Sequence, residues 1–417
     1  MSATVSGAPV RPVLPDLSDD MSFAGGFPQE SFAWLRDNAP VYWHAATAKT
    51  PDGDGFWVVS RYDDVMAVLR DPQTYSSDKG GGRQGGGTTM KDERAAGKTL
   101  NYTDDPRHRV LRALVNKGFD GRAISALEPE LRRRAHALID AMPEDEPFDF
   151  VAAFSRELPL QAICVVLGVP QEDRAQLCEW IDLGIEADAP TVVAKEYLYK
   201  VRDYAVGVIA EKRRNPSDDI LSRIVHAELQ ENDGQRLSDE ELLNFFLLLF
   251  PAGAETTRSA IAGGLKTLIE HPDQLHRLRD EPALIRSAAE EIVRWTTPSI
   301  YKRRTATRDA ELCGTPIQAG DKVTIWEMSA NRDARAFAEP FRFDIARSPN
   351  RHVGYGFGPH ICLGAGLARL ELRLSLEVLL ERIAQFELAG ETRYTPNNRL
   401  LGLKSLPVNV RKREEAA

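Results

Sequence analysis

The sequence predicts a mainly α-helical domain with small β-sheets gathered in a minor lobe (α+β). Apolar residues recur at helical spacing from Arg107 to about His271 and again after Gly364. Segments of strand composition are short and lie towards the two ends, at 56–59, 310–317 and 322–326. No repeat period or long linker divides the 417 residues beyond the opening stretch, although the length alone would allow two or three domains. The chain therefore reads as a flexible N-terminal segment, residues 1–20, followed by one domain over 21–417.

In order along the chain, Phe56-Trp57-Val58-Val59 is a strand, and residues 62–70 form a helix stopped by Asp71-Pro72. Residues 76–99 are rich in glycine and lack the Gly-Lys-Ser/Thr ending of a phosphate loop, so they read as a mobile loop and a candidate substrate lid. Helices follow at 107–117, 123–141, 152–167, 171–186, 193–214 and 218–229. Ser238 and Glu241 form a capping box opening a long helix to about His271, roughly 45 Å at about 1.5 Å per residue. The strand-like pieces after Thr305 turn at Cys313-Gly314 and Ala319-Gly320, and a helix at 364–382 precedes a partly stranded C-terminus.

Composition narrows the function. With 62 acidic against 53 basic residues and a net charge of −9, nucleic acid is not the main partner. Cys164, Cys178, Cys313 and Cys362 are far apart, which indicates neither a zinc knuckle nor a disulfide framework and fits a reducing, cytoplasmic setting. The first twenty residues lack the basic start and apolar core of a signal peptide, and runs such as Leu247-Leu248-Leu249-Phe250 fall far short of the ~20 residues a membrane helix needs. No membrane anchor is expected.

Two constellations carry chemistry. In Gly354-Tyr355-Gly356-Phe357-Gly358-Pro359-His360-Ile361-Cys362-Leu363-Gly364, alternate glycines let the backbone approach a flat ligand, and the helix that follows aims its N-terminal dipole at the sulfur and favours thiolate. In the middle of the long apolar helix, Pro251-Ala252-Gly253-Ala254-Glu255-Thr256-Thr257 introduces a proline, a glycine, a carboxylate and two hydroxyls, each unfavourable in a buried helix. Such costs point to function. Ala252 and Gly253 leave room for a diatomic ligand, and Glu255 with Thr256 forms a proton relay. Taken singly, Thr256 is equally a side chain bonded back to a carbonyl one turn earlier and Glu255 a solvated surface residue.

The spacing Gly356-x-Gly358-x-His360-x-Cys362-x-Gly364 resembles the haem-binding signature of the cytochrome P-450 monooxygenases, with Tyr355 where that family usually has phenylalanine. Residues 252–256 resemble the family's distal-helix motif, and Pro251 is less usual there. The resemblance, spanning roughly residues 23–410, implies the cytochrome P-450 fold, a triangular helix-rich prism with haem b (iron protoporphyrin IX) between the long helix and the cysteine loop. It implies Cys362 as the thiolate ligand of the iron, the P-450 case named in general haem chemistry, with Tyr355, Gly356, Gly364, Ala252 and Gly253 around the haem. His108 and Arg112, with Arg304 and His360, occupy family positions for the two propionates. Glu291 and Arg294 match a buried Glu-x-x-Arg brace, joined by Arg342. Phe250, Ala252, Ser299, Ile300, Leu400 and Leu401 are the implied pocket walls.

The function this implies is a monooxygenase using O2 and two electrons to oxidise a small hydrophobic molecule such as a steroid, terpenoid, fatty acid or polyketide-type compound. Glu255 and Thr256 are its catalytic residues. Electrons originate in NAD(P)H and arrive through a ferredoxin and a ferredoxin reductase, docking near Arg107, Arg109 and Arg369, and the protein is expected to be a monomer. The alternative is a peroxide-driven or ligand-binding haem protein. A zinc site at His360 and Cys362 lacks further ligands at suitable spacing.

Overall fold

A computed structural model describes residues 12–93, 95–185, 191–229 and 236–414. Its central element is the helix Asp239–Glu270, opened by the reciprocal Ser238–Glu241 capping box. The helix runs unbroken through Pro251. Its apolar character on nearly every face has a simple cause: it serves two cores. Phe245, Phe246, Leu249, Phe250 and Ala254 join a cluster with Leu160, Leu221 and Leu374. One turn further, Ala260, Ile261, Leu265 and Leu268 join a second cluster with Phe154, Ile292 and Val378. The helices Glu157–Leu167, Ile285–Thr296 and Ala365–Arg382 pack directly against it.

The other helices lie close to their sequence positions, at Tyr62–Arg70, Arg107–Asn116, Gly121–Asp140 and Thr191–Arg214. Three expectations are modified. The stretch 152–167 divides into a π turn, Val151–Ser155, and the helix Glu157–Leu167, whose Pro159 sits in the first turn where no intrahelical N–H is required. The stretch beginning at 171 opens with the 3-10 turn Gln171–Asp173 before Arg174–Ile185, and residue 186 lies outside the described residues. The stretch 218–229 shortens to Ile220–His226, because Asp219 caps it by accepting from the Ser222 N–H.

The minor lobe is a five-stranded sheet in the order Val41–His44, Phe56–Val59, Lys322–Ile325, Lys302–Ala306 and Tyr75–Ser76. Ala310–Leu312 and Thr315–Ile317 form a hairpin about Cys313-Gly314, as the sequence indicates. At the C-terminus, Pro407–Lys412 pairs with both Ile383–Leu388 and Phe148–Asp149.

Two segments read from sequence as flexible are held. Leu17 is buried in the sheet-side core and its N–H donates to Nε2 of His44 at 3.1 Å, so packed chain begins ahead of residue 21. The glycine-rich loop is clasped by ions: Arg83 pairs with Asp54 and Asp92, and buried Arg303 reaches Asp92 at 2.6 Å. A Cβ on Gly81 would meet the backbone nitrogen of Gly320 at 2.0 Å, so the glycine there permits chain-to-chain contact, not mobility.

Candidate functional site

The cysteine loop is shaped by two glycines that only glycine satisfies. Gly358 has φ +74° and its missing Cβ would sit 2.8 Å from the Leu69 carbonyl, while Gly356 has φ +70°. The Cys362 N–H donates to the Tyr355 carbonyl at 2.8 Å, closing the loop. Cys362 retains accessible surface, yet desolvation pushes its thiol upward, so the sulfur lies on the wall of an internal cleft. A hydrogen bond from the Gly364 backbone and the charges of Lys302, Arg112 and Arg369 act in the opposite sense and favour thiolate. Tyr355 lies under the Arg369 guanidinium, 4.4 Å from ring centre to carbon, and that guanidinium is held by both oxygens of Glu290.

Around the cleft, His108 and His360 approach with ring centres 4.1 Å apart. Burial and the nearby Arg304, His108 and Arg112 push His360 down to about 2, so its ring is neutral at any working pH. His108 is buried and its Nε2 has no partner. Arg112 donates to the Pro359 carbonyl at 3.1 Å. Arg304 is buried, donates to its neighbour's carbonyl, and forms no ion pair with a described carboxylate. Its neighbour Arg303 points the other way, to Asp92. A buried guanidinium with Glu327 and Asp104 nearby but no ion pair to either is costly, which is the signature of a site made for an anionic guest.

On the central helix the predicted residues separate. Ala252 is exposed in mid-helix and borders open space. Gly253 does not make room for a ligand: a Cβ there would meet Cδ1 of Ile163 at 2.6 Å, so this glycine lets the helix Glu157–Leu167 pack close. Gly253→Ala is expected to lower stability by about 1–3 kcal/mol through overpacking, and trimming Ile163 to valine in the same chain to recover part of the loss, read from the denaturant midpoint. Thr256 donates its hydroxyl to the Ala252 carbonyl at 3.1 Å, the back-bonded arrangement. With its proton so engaged, the hydroxyl offers lone pairs and acts as an acceptor. Glu255 is buried rather than solvated, paired with Arg258, and borders a cavity of ≈ 240 Å3 shared with Arg156, Asn397, Leu400 and Lys404.

The pocket residues also divide. Leu400 lines that cavity, and Ser299 forms a β-bridge with Leu400. Phe250 is fully buried and stacks on Phe246 at 5.8 Å, so it belongs to the helical core and presents no wall. Ile300 and Leu401 are packed into the sheet-side core with Phe23 and Trp326, for the same reason of apolar burial.

The brace is Glu291 with Arg294, both fully buried and joined by two bonds of 2.7 Å. Arg294 also donates to the carbonyls of Asn331, Pro340 and Arg342. The third member is Arg347, whose Nε reaches Glu291 at 3.2 Å, and not Arg342. The Arg342 side chain turns outward to Glu339, and only its carbonyl takes part. Of the basic residues expected to meet a redox partner, Arg107 is tied to Glu241 while Arg109 and Arg369 have exposed side chains.

Sequence reasoning missed Arg347, Arg258, Lys302 and Glu327. An i,i+3 spacing signals Arg258 with Glu255, but the Lys302–Glu327 pair is brought together only by neighbouring strands. The donor set fits a haem: an accessible sulfur held by a backbone amide, cations without a described ion pair at the cleft edge, and a helix whose small Ala252 borders it. No helix among the described residues is long and apolar enough to cross a membrane.

Comparison with known proteins agrees with this geometry. The profile described as Cytochrome P450 matches residues 193–410. The Mycobacterium tuberculosis protein called cytochrome P450 126 is 49% identical over 402 residues, spanning 95% of this chain and 97% of that one. The methyl-branched lipid omega-hydroxylase of the same organism is 37% identical over 396 residues, spanning 91% and 90%. A Mycobacterium marinum cytochrome P450 solved with pseudoionone superposes with a TM-score of 0.87 at 34% identity, over 96% of this chain and 100% of that one. With this profile match and these identities across nearly its whole length, the chain belongs to the cytochrome P450 family.

Proposed function

We propose that this protein binds haem b through the Cys362 thiolate and oxidises a hydrophobic small molecule, with electrons delivered from NAD(P)H by a ferredoxin and its reductase. Membership of the family makes it a haem-dependent monooxygenase using O2. The observation that carries the finer reading is the Cys362 sulfur, open to the cleft and held by the Gly364 amide. Arg112 and Arg304, with neutral His108 and His360 as hydrogen-bonding partners, would hold the propionates. When bound, the haem supplies O2 activation, and a thiolate ligand suits it to O–O cleavage.

The chain's own residues manage protons and water. Thr256, its proton engaged by Ala252, accepts a hydrogen bond from a donor on the cleft side and so fixes that donor's position. Glu255 is next in sequence, about 100° round the helix, and borders the cavity with Arg258 and Lys404. It takes protons from that side and passes them round the helix towards Thr256. The apolar substrate is of the lipid or terpenoid kind, a reading supported by the names of the omega-hydroxylase and the pseudoionone complex.

The test is the carbon monoxide difference spectrum of reduced, haem-loaded protein: a red-shifted thiolate Soret band is expected, and its absence sinks the reading. Thr256→Ala is expected to keep that band while raising the hydrogen peroxide released per NAD(P)H consumed. Unchanged coupling would remove Thr256 from proton delivery.

A further inference from the structure

Along the strand Lys302–Ala306, side chains alternate between two faces. Arg303 and Thr305 serve the glycine-rich loop side: Arg303 bonds Asp92 and also the Thr305 hydroxyl at 3.0 Å. Lys302 and Arg304 share the opposite face, and their charges act on Cys362 and on His360 of the cysteine loop. Lys302 donates to the Ser299 hydroxyl at 2.5 Å and to Oε2 of Glu327 at 2.9 Å. Its side chain keeps 29% of its surface while that of Glu327 keeps none. The second Glu327 oxygen, Oε1, is buried with no partner and lies 3.7 Å from where a Cβ on Gly356 of the cysteine loop would be. An ion pair thus spans from the pocket residue Ser299 to the cysteine loop, in a chain whose pocket was expected to be apolar.

An ammonium has three N–H groups and no acceptor. Two are engaged, and the remaining exposure of Lys302 leaves the third for a guest. We propose that Lys302 is a specificity-determining residue whose third N–H anchors a neutral oxygen, a ketone or hydroxyl, on an otherwise hydrophobic substrate. Because Glu327 already neutralises the ammonium, and Arg304 on the same face is left to a haem propionate, Lys302 offers a strong hydrogen-bond donor without net positive charge. A carboxylate is disfavoured, since the unpartnered Glu327 oxygen beside it repels a second anion. A plain hydrocarbon leaves the donor unsatisfied. This inference rests on the monooxygenase reading and names its substrate class.

The test uses full-length, haem-loaded protein and three probes on one carbon skeleton: a branched alkane, its ketone and its carboxylate, titrated by the spin-state shift of the haem spectrum. The ketone is expected to bind about tenfold more tightly than the alkane, and more tightly than the carboxylate. The ketone preference over the alkane is expected to vanish in Lys302→Met, and equally in Lys302→Met with Glu327→Gln, which leaves no unpaired buried carboxylate if the single variant fails to fold. A wild-type protein with no ketone preference, a tighter carboxylate, or a preference unchanged in a folded variant overturns the proposal. So does loss of haem from Lys302→Met as great as from Arg304→Ala, which would make Lys302 a cofactor anchor. The carbon monoxide spectrum of the same sample separates the failures: a thiolate band without oxygen preference defeats this inference alone, and a missing band defeats the reading beneath it.

Discussion

Replacing Cys362 by serine is expected to eliminate the thiolate band of the reduced carbon monoxide complex and to cut substrate oxidation by more than about 100-fold, beyond what loss of a ligand-supporting partner costs. The hydroxyl holds its proton at working pH, so the charge that the Gly364 amide and the Lys302, Arg112 and Arg369 cations favour is no longer there to be stabilised. The fold is expected to persist. The side chain lies on an open wall, and the loop is closed through the backbone bond to Tyr355, which serine preserves. Far-ultraviolet dichroism should match the parent protein. A retained thiolate band in the variant would show that another sulfur serves as ligand.

The second large effect is structural. Arg294→Ala removes five hydrogen bonds at once, two to Glu291 and three to the carbonyls of Asn331, Pro340 and Arg342. Glu291 keeps partners in Arg347, Asn350 and the Asp344 N–H, but it stays fully buried with less of its charge answered. Breaking one side of such a pair costs about 3–5 kcal/mol, a large part of the roughly 5–15 kcal/mol that holds a domain folded. The expected result is a denaturant midpoint lowered far enough for little soluble protein to accumulate. Arg342→Ala, by contrast, should leave the midpoint nearly unmoved, because its side chain meets only the exposed Glu339.

That contrast shows what a sequence can and cannot reveal. The fold was legible because helix signals are local: Ser238 with Glu241 marks the start of the central helix from four residues, and apolar periodicity places most of the others. The cysteine loop was legible because its glycines are demanded by backbone geometry, at φ +70° and +74°. The third member of the brace was not. Arg342 and Arg347 lie five residues apart in one irregular segment, and which of them turns inward depends on how that segment crosses the Glu291 helix. Gly253 was misread for a related reason: a glycine absent a side chain signals close approach but not what approaches, and here it is Ile163. Phe250, apolar and near the motif, was drawn to the core by stacking on Phe246.

The clasp on the glycine-rich loop governs how that loop answers to salt. Arg83, Arg303 and Lys322 face Asp52, Asp54 and Asp92, and several of these groups are partly open to solvent. Contacts of about 3 Å around buried cations lie well inside the screening length of about 8–10 Å, so salt weakens them little. The far end of the loop, at Met90, hangs from the Tyr301 hydroxyl beside Ile300 and Lys302. The loop is therefore expected to stay fastened as ionic strength rises, a rivet rather than a latch.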